Sequence, residues 1–355
     1  MLTLNDRQWI AFDITGENGV FELSATKSGI DKNKLNNAGG NIAYITRSES
    51  NNGINMFVCN EQDSKYKRNE GNVITIGLDT QTCFYQPSAF YTGQNIQVLS
   101  NNIINKYSAL FICTLLKQQL KKFCWGGNGA TLGRLRRTKV LLPVTVQGEP
   151  DFNFMEEYVK ERVKVKRTEY LKYSKGNIQK IKRDKAIELG KCEWKEFFIK
   201  DIFPQVQRGK RLTKERQNEG SKPYVSSSAL NNGVDNFISN EVGIRSFSNC
   251  LSLANSGSVG ACFYEPFEFV ASDHVTHLKR ENLTSYQYLF MATMLGRLSE
   301  KYNFNREIND ARISREKVFL PVDNDGNPNF ALMEQYAQNI MIDKYKSYID
   351  YCKNV

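Results

Sequence analysis

The chain has no C-x-x-C pair and no apolar run near the roughly 18 residues that span a bilayer, and its 355 residues include only two histidines. Eight scattered cysteines (Cys59, Cys83, Cys113, Cys124, Cys192, Cys250, Cys262 and Cys352) signal neither a zinc ribbon nor a disulfide framework. They read as small core hydrophobes. The first residues, MLTLNDRQWIAFDI, lack the basic head and apolar stretch of a signal peptide, so a cytoplasmic protein is expected. There is no Asn/Asp-Pro-Pro-aromatic run and no glycine-rich cofactor loop of the kind amino-methyltransferases use. SGSVG at 256–260 is glycine-rich, but it carries no Walker lysine and follows no typical nucleotide-binding strand.

What the chain does have is a length suited to two domains and 40% hydrophobic residues to pack them. Its formal net charge is +10, which favours a polyanionic partner. The pentapeptide CFYQP at 83–87 returns as CFYEP at 262–266. Around it lies a far longer self-match, with copies about 180 residues apart. Trp9 and Phe12 answer Trp194 and Phe197; Tyr44, Asn51-Asn52-Gly53 and Phe57 answer Tyr224, Asn231-Asn232-Gly233 and Phe237. KYSALFICTLL (106–116) answers SYQYLFMATML (285–295), and KVLLPVTVQGEPDFNFMEEY (139–158) answers KVFLPVDNDGNPNFALMEQY (317–336). So many ordered identities mean a tandem duplication.

Within one copy, the β-leaning runs NIAYIT, NVITIGL, CFY and NIQVL are broken by Asn and Gly turns. A helix over 106–122 and the strand KVLLPV follow, which makes each copy an α+β domain. After each copy comes an amphipathic helix. One carries Met155, Val159, Val163 and Tyr170, with Gly176-Asn177 as its expected stop. The other carries Met333, Ala337, Met341, Tyr345, Tyr348 and Cys352 as a coiled-coil-like stripe. The expected layout is 1–153 and 191–331 as two sister domains, joined and spaced by helices over 154–190 and 332–355 that lie antiparallel. About 21 residues of helix span roughly 30 Å, near nine base pairs of duplex.

Candidate catalytic sets fail on the repeat itself. Asp273, His274 and His277 suggest a metal set, yet the first copy has Gln94, Asn95 and Val98 there, and His274 and His277 would face opposite sides of a strand. Asp151 in PDFNFMEEYVK evokes a nuclease carboxylate, but the second copy has Asn329. No catalytic or metal residue is expected. Basic clusters remain: Arg208, Lys210, Arg211, Lys214 and Arg216 around one glycine turn, and Arg134, Arg136, Arg137 and Lys139 before a strand. Both are natural phosphate clamps. Residues 156–191 hold 12 Lys/Arg against 6 Asp/Glu, whereas 334–355 is balanced at 3 against 3. The turn residues Asn51, Asn52, Asn231 and Asn232 can donate and accept at base edges, although turn propensity alone explains the shared triplet. Arg47, Ser226, Ser227, Arg306 and Arg312 differ between the copies, as residues reading two different half-sites would.

This order of parts resembles the DNA specificity subunit of type I restriction-modification systems and the similar recognition subunit of type IIB systems. The motifs that carry the resemblance are WKEFFIKDIF, QRGKRL, PYVSSSALNNGV, LSLANSGSVGACFYEP, ASDHVTHL and KVFLPVDNDGNPNFALMEQY. The first copy departs from them, with LDTQT in place of NSGSVGA and NGVFELSATKSGI in place of IFPQVQRGKRL. The resemblance implies a non-catalytic subunit whose two target-recognition domains read a bipartite, asymmetric site in double-stranded DNA. It implies helices that dock methyltransferase or fused modification-restriction subunits, two per chain, with S-adenosylmethionine held by those partners. Tyr158, Val159, Val163, Tyr336, Met341 and Tyr345 are the expected partner contacts. A self-contained DNA-modifying or DNA-cleaving enzyme, and a helical scaffold that binds no DNA, remain as alternatives.

Overall fold

A computed structural model of the chain describes residues 1–124, 126–181, 183 and 185–353. The expected helical segments 154–190 and 332–355 therefore reach beyond the described residues at 182, 184, 354 and 355. No helix among the described residues is long and apolar enough to cross a membrane. The chain divides into two compact units, Met1–Glu169 and Tyr170–Val355.

Unit 1 begins with β1 (Gln8–Asp13), β2 (Glu22–Ala25), β3 (Ile42–Ile45), β4 (Ile54–Val58) and β5 (Val73–Gly77). It continues with β6 (Cys83–Gln86), β7 (Phe90–Thr92), β8 (Ile96–Ser100), helix α1 (Lys106–Leu120), the short α2 (Leu132–Leu135), β9 (Lys139–Val144) and the start of α3 (Phe152–Lys180). The strands form an antiparallel sheet ordered β2-β8-β5-β6, a smaller sheet β4-β3-β7 and the pair β1-β9. β3 runs antiparallel to β4 and parallel to β7. Ile74, Ile76 and Leu99 of the larger sheet pack on Ile112 and Leu116 of α1, in one apolar core.

Unit 2 repeats this plan. It contains β10 (Trp194–Phe198), α4 (Ile199–Ile202), β11 (Gln205–Arg208), β12 (Glu219–Val225), β13 (Val234–Ile238), β14 (Ser246–Phe247), β15 (Cys250–Ala254), β16 (Cys262–Glu265), β17 (Phe269–Ala271) and β18 (Val275–Lys279). Then follow α5 (Ser285–Gly296), α6 (Asp310–Ile313), β19 (Lys317–Pro321) and α7 (Phe330–Lys353). Its sheets are β11-β18-β15-β16, β13-β12-β17-β14 and β10-β19, so β14 is an added edge strand. Leu251, Leu253 and Leu278 pack on Tyr288, Met291 and Leu295 of α5.

The repeated residues do the same work twice. Trp9 lies opposite Pro143, and Trp194 opposite Pro321. Each indole N–H donates to a carbonyl five residues back, Leu4 at 2.9 Å and Leu189 at 3.1 Å. Each indole stacks on a helix phenylalanine, Phe111 at 6.1 Å and Phe290 at 6.4 Å. Tyr44 and Tyr224 are buried, with their hydroxyls donating to Ile30 and Leu212 carbonyls at 2.6 and 3.1 Å. The segments entering each core are thereby pinned.

The long helices begin at equivalent turns. Gly148 and Gly326 take positive φ, and Asp151 and Asn329 cap the first turn by accepting from Phe154 N and Leu332 N. Asp151 also pairs with Arg7 at 2.8 Å. Capping is a role that Asp and Asn share, which accounts for the exchange between copies without invoking catalysis.

Two expectations change. Helix α3 does not stop at Gly176-Asn177 but runs to Lys180. Ile178 and Ile181 beyond that glycine pack with Ile342 and Tyr345 of α7, and that burial outweighs a glycine's helix-breaking cost. Nor do the two compact units divide at 153/154, because α3 up to Glu169 belongs to unit 1 and the rest to unit 2. Within unit 2, Tyr170 meets Tyr348 at 4.5 Å and Tyr173 meets Tyr345 at 6.0 Å. One number rises as the other falls, so these helix segments run antiparallel.

Candidate nucleic-acid interface

The Asn-Asn-Gly triplets are tight turns over Asn51–Gly53 and Asn231–Gly233, following the inner strands β3 and β12. All six residues have positive φ, from 50° to 80°. Asparagine tolerates this region and glycine is free in it. At Gly53 an added Cβ would lie 3.2 Å from the Thr46 carbonyl, and at Gly233 it would lie 3.1 Å from that of Ser226. The shared triplet is thus explained by backbone geometry, while Asn51, Asn52, Asn231 and Asn232 remain exposed. Asn52 is also tied down, its Nδ2 donating to the Tyr85 carbonyl at 2.8 Å.

The positions that differ between the copies sort by structure. Arg47 and Ser227 occupy one place, just after Thr46 and Ser226, whose N–H groups bond to Gly53 and Gly233 carbonyls. In unit 1 the short loop after β5 leaves room for the Arg47 side chain, which pairs with Asp79. In unit 2 the longer NSGSVGA loop lies over Ser227. Ser258 N donates to the Ser227 carbonyl at 3.0 Å, and a Cβ on Gly257 would sit 2.6 Å from Ser227 Oγ. Ser227 is therefore a seat for that loop rather than an open base reader, and Ser226 beside it is half-buried.

Arg312 is not unique to the second copy. It occupies the third residue of α6, as Arg134 does in α2, each bonded through its N–H to a capping side chain, Asn309 or Thr131. Arg134 donates to the Gly129 and Gly127 carbonyls at 2.9 and 2.8 Å, and Arg312 donates to the Glu307 carbonyl. Arg137 and Arg315 reach back to the carbonyls of Gly133 and Ala311. Both copies use these arginines as loop braces, and the register of Lys139 on Lys317 already sets Arg134 opposite Arg312 and Arg137 opposite Arg315. Arg136 and Arg306 stay exposed, with Arg306 over the Tyr302 ring at 5.2 Å.

The basic-glycine segment is specific to unit 2. Gly209 crosses the β17–β18 turn so closely that a Cβ would collide with the Ala271 and Ser272 carbonyls. Only glycine fits there, and the crossing turns Lys210, Arg211 and Lys214 outward, exposed. Arg208 ends β11 beside a cleft of about 370 Å³ that Lys200, Arg245, Thr276 and Ser314 also line. Arg245 donates to the Arg208 carbonyl at 2.7 Å, and Arg208 Nε lies 3.3 Å from Asp310. Three cations against one carboxylate leave the cleft able to take an anion. The register of β2 on β8 puts Ala25 where β11 carries Arg208.

His277 is buried, with Nδ1 2.9 Å from the Gln207 carbonyl and its ring stacked on Phe247 at 3.9 Å. Burial holds its pKa below the usual histidine range. It therefore serves as a neutral packing residue, and among the described residues no cluster of three His, Cys, Asp or Glu could hold a metal.

Of the expected partner contacts, Tyr345 is buried against Ile342 and Ile181. Met341 packs at the edge of that cluster, and Val163 is exposed. Tyr158 and Tyr336 are half-buried edge-on to Phe111 and Phe290, at 5.5 and 5.8 Å. Beside them each unit has an apolar groove, of about 270 Å³ by Leu110, Leu115 and Val159 and about 410 Å³ by Leu289, Met294 and Ala337. These are the same positions in the two copies.

Comparison with known proteins matches the same duplication. Residues 17–172 and 191–348 each match the type I restriction modification DNA specificity domain family. A curated relative, the type II restriction enzyme BgcI specificity subunit S.BcgI of Heyndrickxia coagulans, is 29% identical over 318 residues, covering 88% of this chain and 89% of that one. Among solved structures, the S subunit of a type I restriction-modification system from M. genitalium is 15% identical with a TM-score of 0.44, covering 99% of this chain and 94% of that one. The HsdS subunit of Thermoanaerobacter tengcongensis is 13% identical with a TM-score of 0.32, over 98% and 91%. With two copies of the family's domain spanning most of its length, the chain belongs to the type I restriction modification DNA specificity family.

Proposed function

We propose that the chain is the sequence-reading subunit of a restriction-modification complex, each unit reading one half of a bipartite, asymmetric site in double-stranded DNA. The observation that supports this best is the pairing of one conserved frame with differing exposed groups. The turns of both units sit on the same scaffold, but what surrounds them differs, as it must when two half-sites differ in sequence. In this reading Arg47, Asn51, Asn231 and Asn232 face base edges, whereas Arg208, Lys210, Arg211 and Lys214 contact phosphates.

The chain itself carries no catalytic step. S-adenosylmethionine belongs to a partner methyltransferase, and two modification subunits dock, one in each apolar groove beside Tyr158 and Tyr336. The duplicated groove supports the stoichiometry, since one kind of partner would fit both copies. Helix α3, with 29 residues, is about 43 Å long and would set the spacing of the half-sites.

Fluorescence titration of the purified chain with duplexes selected from a random pool tests the reading. If six or more phosphates are neutralised, raising salt from 50 to 200 mM weakens binding by roughly a thousandfold. Replacing Arg208 and Lys210 with Ala lowers affinity across all sequences and reduces the log–log salt slope by about 0.9 for each lost phosphate contact. A flat salt response sinks the proposal, and cleavage or methyl transfer by the isolated chain would make it an enzyme.

A further inference from the structure

Under each Asn-Asn-Gly turn lies a buried polar relay, and the two relays differ at the one residue that distinguishes CFYQP from CFYEP. In unit 1, Gln86 Nε2 donates to Thr75 Oγ1 at 3.0 Å and to the Asn52 carbonyl at 3.1 Å. Thr75 Oγ1 passes its own proton to the Phe84 carbonyl at 3.3 Å. An amide nitrogen can only donate, so the direction of this relay is fixed. It ties the turn at Asn51–Gly53 to the larger sheet.

In unit 2 the same positions hold Glu265 and Ser252. Ser252 Oγ is within donating distance of Glu265 Oε1 at 2.9 Å and lies 3.5 Å from the Phe263 carbonyl, so the hydroxyl meets the same two positions that Thr75 meets in unit 1. In place of the amide stands a carboxyl, which can donate only when it is protonated. Glu265 is fully buried at 0% exposure, and its Oε2 has no hydrogen-bond partner among the described residues.

Among the described residues no cation pairs with it. β15 brings Cys250, which lies opposite Glu265, and Ser252; β16 brings Cys262. β18 brings His277, held neutral, and Lys279, whose ammonium pairs with Glu281 at 3.4 Å. The opposing sheet presents Val225, Phe247 and Phe269 around Cys250, and the uncharged Asn231–Gly233 turn packs on β16. An ionised carboxylate here would be a buried, uncompensated charge with one orphan oxygen. A neutral acid has an O–H to offer where the amide of unit 1 has its N–H.

We propose that Glu265 is a protonated positioning residue: as a carboxylic acid it donates where Gln86 donates, holds the Asn231–Gly233 turn in its reading position, and makes recognition by the second unit alone sensitive to alkaline pH. Burial pushes the Glu265 carboxyl up to about 7, in keeping with that role. The inference rests on the reading of the turns as a DNA face, and its test separates the two ideas.

The first measurement is infrared titration of the full chain carrying isotope-labelled glutamate, compared with Glu265→Gln. A protonated-carboxyl band at about pH 6 that is absent from the variant and fades as pH rises through about 7 supports the proposal; no such band at about pH 6 overturns it. The second is affinity for duplexes selected from a random pool at about pH 6. Near pH 8.5 roughly one molecule in thirty keeps the proton, so wild-type affinity falls by at least about tenfold, with base preference relaxed in one half-site only. Glu265→Gln, which restores the unit 1 chemistry, keeps affinity and preference across that range. A wild type with flat binding, or a variant as pH-sensitive as the wild type, overturns the positioning role. Failure to select any duplex would sink the DNA reading instead, and the infrared titration would still decide the state of Glu265.

Discussion

Two units with one frame differ where their interiors meet the exposed turns. Unit 1 has Ala25, Arg47, Gln86 and Val98 where unit 2 has Arg208, Ser227, Glu265 and His277. The exchanges are linked through packing. A short loop after β5 lets Arg47 extend to Asp79, whereas the longer loop after β15 closes over a serine. A buried hydroxyl meets a polar partner in both units, Thr75 with Gln86 and Ser252 with Glu265, but only in unit 2 is that partner ionisable. The comparison teaches that duplication kept the aromatic residues and the capping roles that hold each unit together and varied the residues that shape and charge the surroundings of the exposed turns.

The largest expected effect comes from breaking the loop seat that unit 2 has and unit 1 lacks. Gly257 has φ +61°, and its added Cβ would lie 2.6 Å from Ser227 Oγ. Gly257→Val combines a left-handed β-branched residue with a clash, and on the order of 3 kcal/mol of stability is lost in urea unfolding. Adding Ser227→Gly recovers part of that loss. A neutral Gly257→Val would mean that the loop does not rest on Ser227.

Next come the opposed titrations inside unit 2. Glu265 is raised from 4.5 to about 7, so it is protonated in the folded state while the unfolded chain ionises. Its contribution to stability therefore falls as pH rises from 4.5 to about 7, by no more than about 3 kcal/mol. His277 is lowered from 6.5, so the unfolded chain takes up a proton that the folded unit refuses, and stability falls as pH drops below 6.5. Each variant exposes the other arm in pH-dependent unfolding. Glu265→Gln leaves loss on acidification, and His277→Val, which copies unit 1, leaves loss as pH rises. If neither substitution changes the profile, the two groups titrate alike in folded and unfolded chains.

A smaller effect tests sameness rather than difference. Arg134→Ala and Arg312→Ala each remove guanidinium bonds to carbonyls of the preceding loop. Each costs about 1 to 2 kcal/mol, with base preference unchanged in selection from a random pool. A shift of preference in one half-site would return Arg312 to the base readers.

The sequence made the duplication, the α+β class and most strands legible, because Trp9, Tyr44, Pro143 and their counterparts hold identical places in both cores. The equivalence of Arg134 and Arg312 is also legible, because the register of KVLLPV on KVFLPV extends back to them without a gap, but their role as loop braces rests on the caps at Thr131 and Asn309 and on the carbonyls they meet. The sequence could not separate Ser227 from an open reader, because what covers that serine is backbone folded over from residues 257 and 258. Gln86 and Glu265 were visible as a single difference between two pentapeptides, yet their burial depends on how β6 and β16 pair with neighbouring strands. The cleft beside Arg208 also escaped notice, because Arg245 and Lys200 reach it from distant segments.

The stop expected at Gly176 offers the finest test, since local preference and packing disagree there. Helix α3 passes through Gly176, and a Cβ added at that residue meets nothing within 4 Å. Glycine in a helix interior costs roughly 0.5 to 1 kcal/mol relative to alanine, and no left-handed turn is present to justify it. Gly176→Ala should therefore raise unfolding stability by about that amount without altering DNA affinity. A loss of stability would mean that the helix bends or ends at this glycine in solution, and that burial of Ile178 and Ile181 beyond it does not outweigh the glycine.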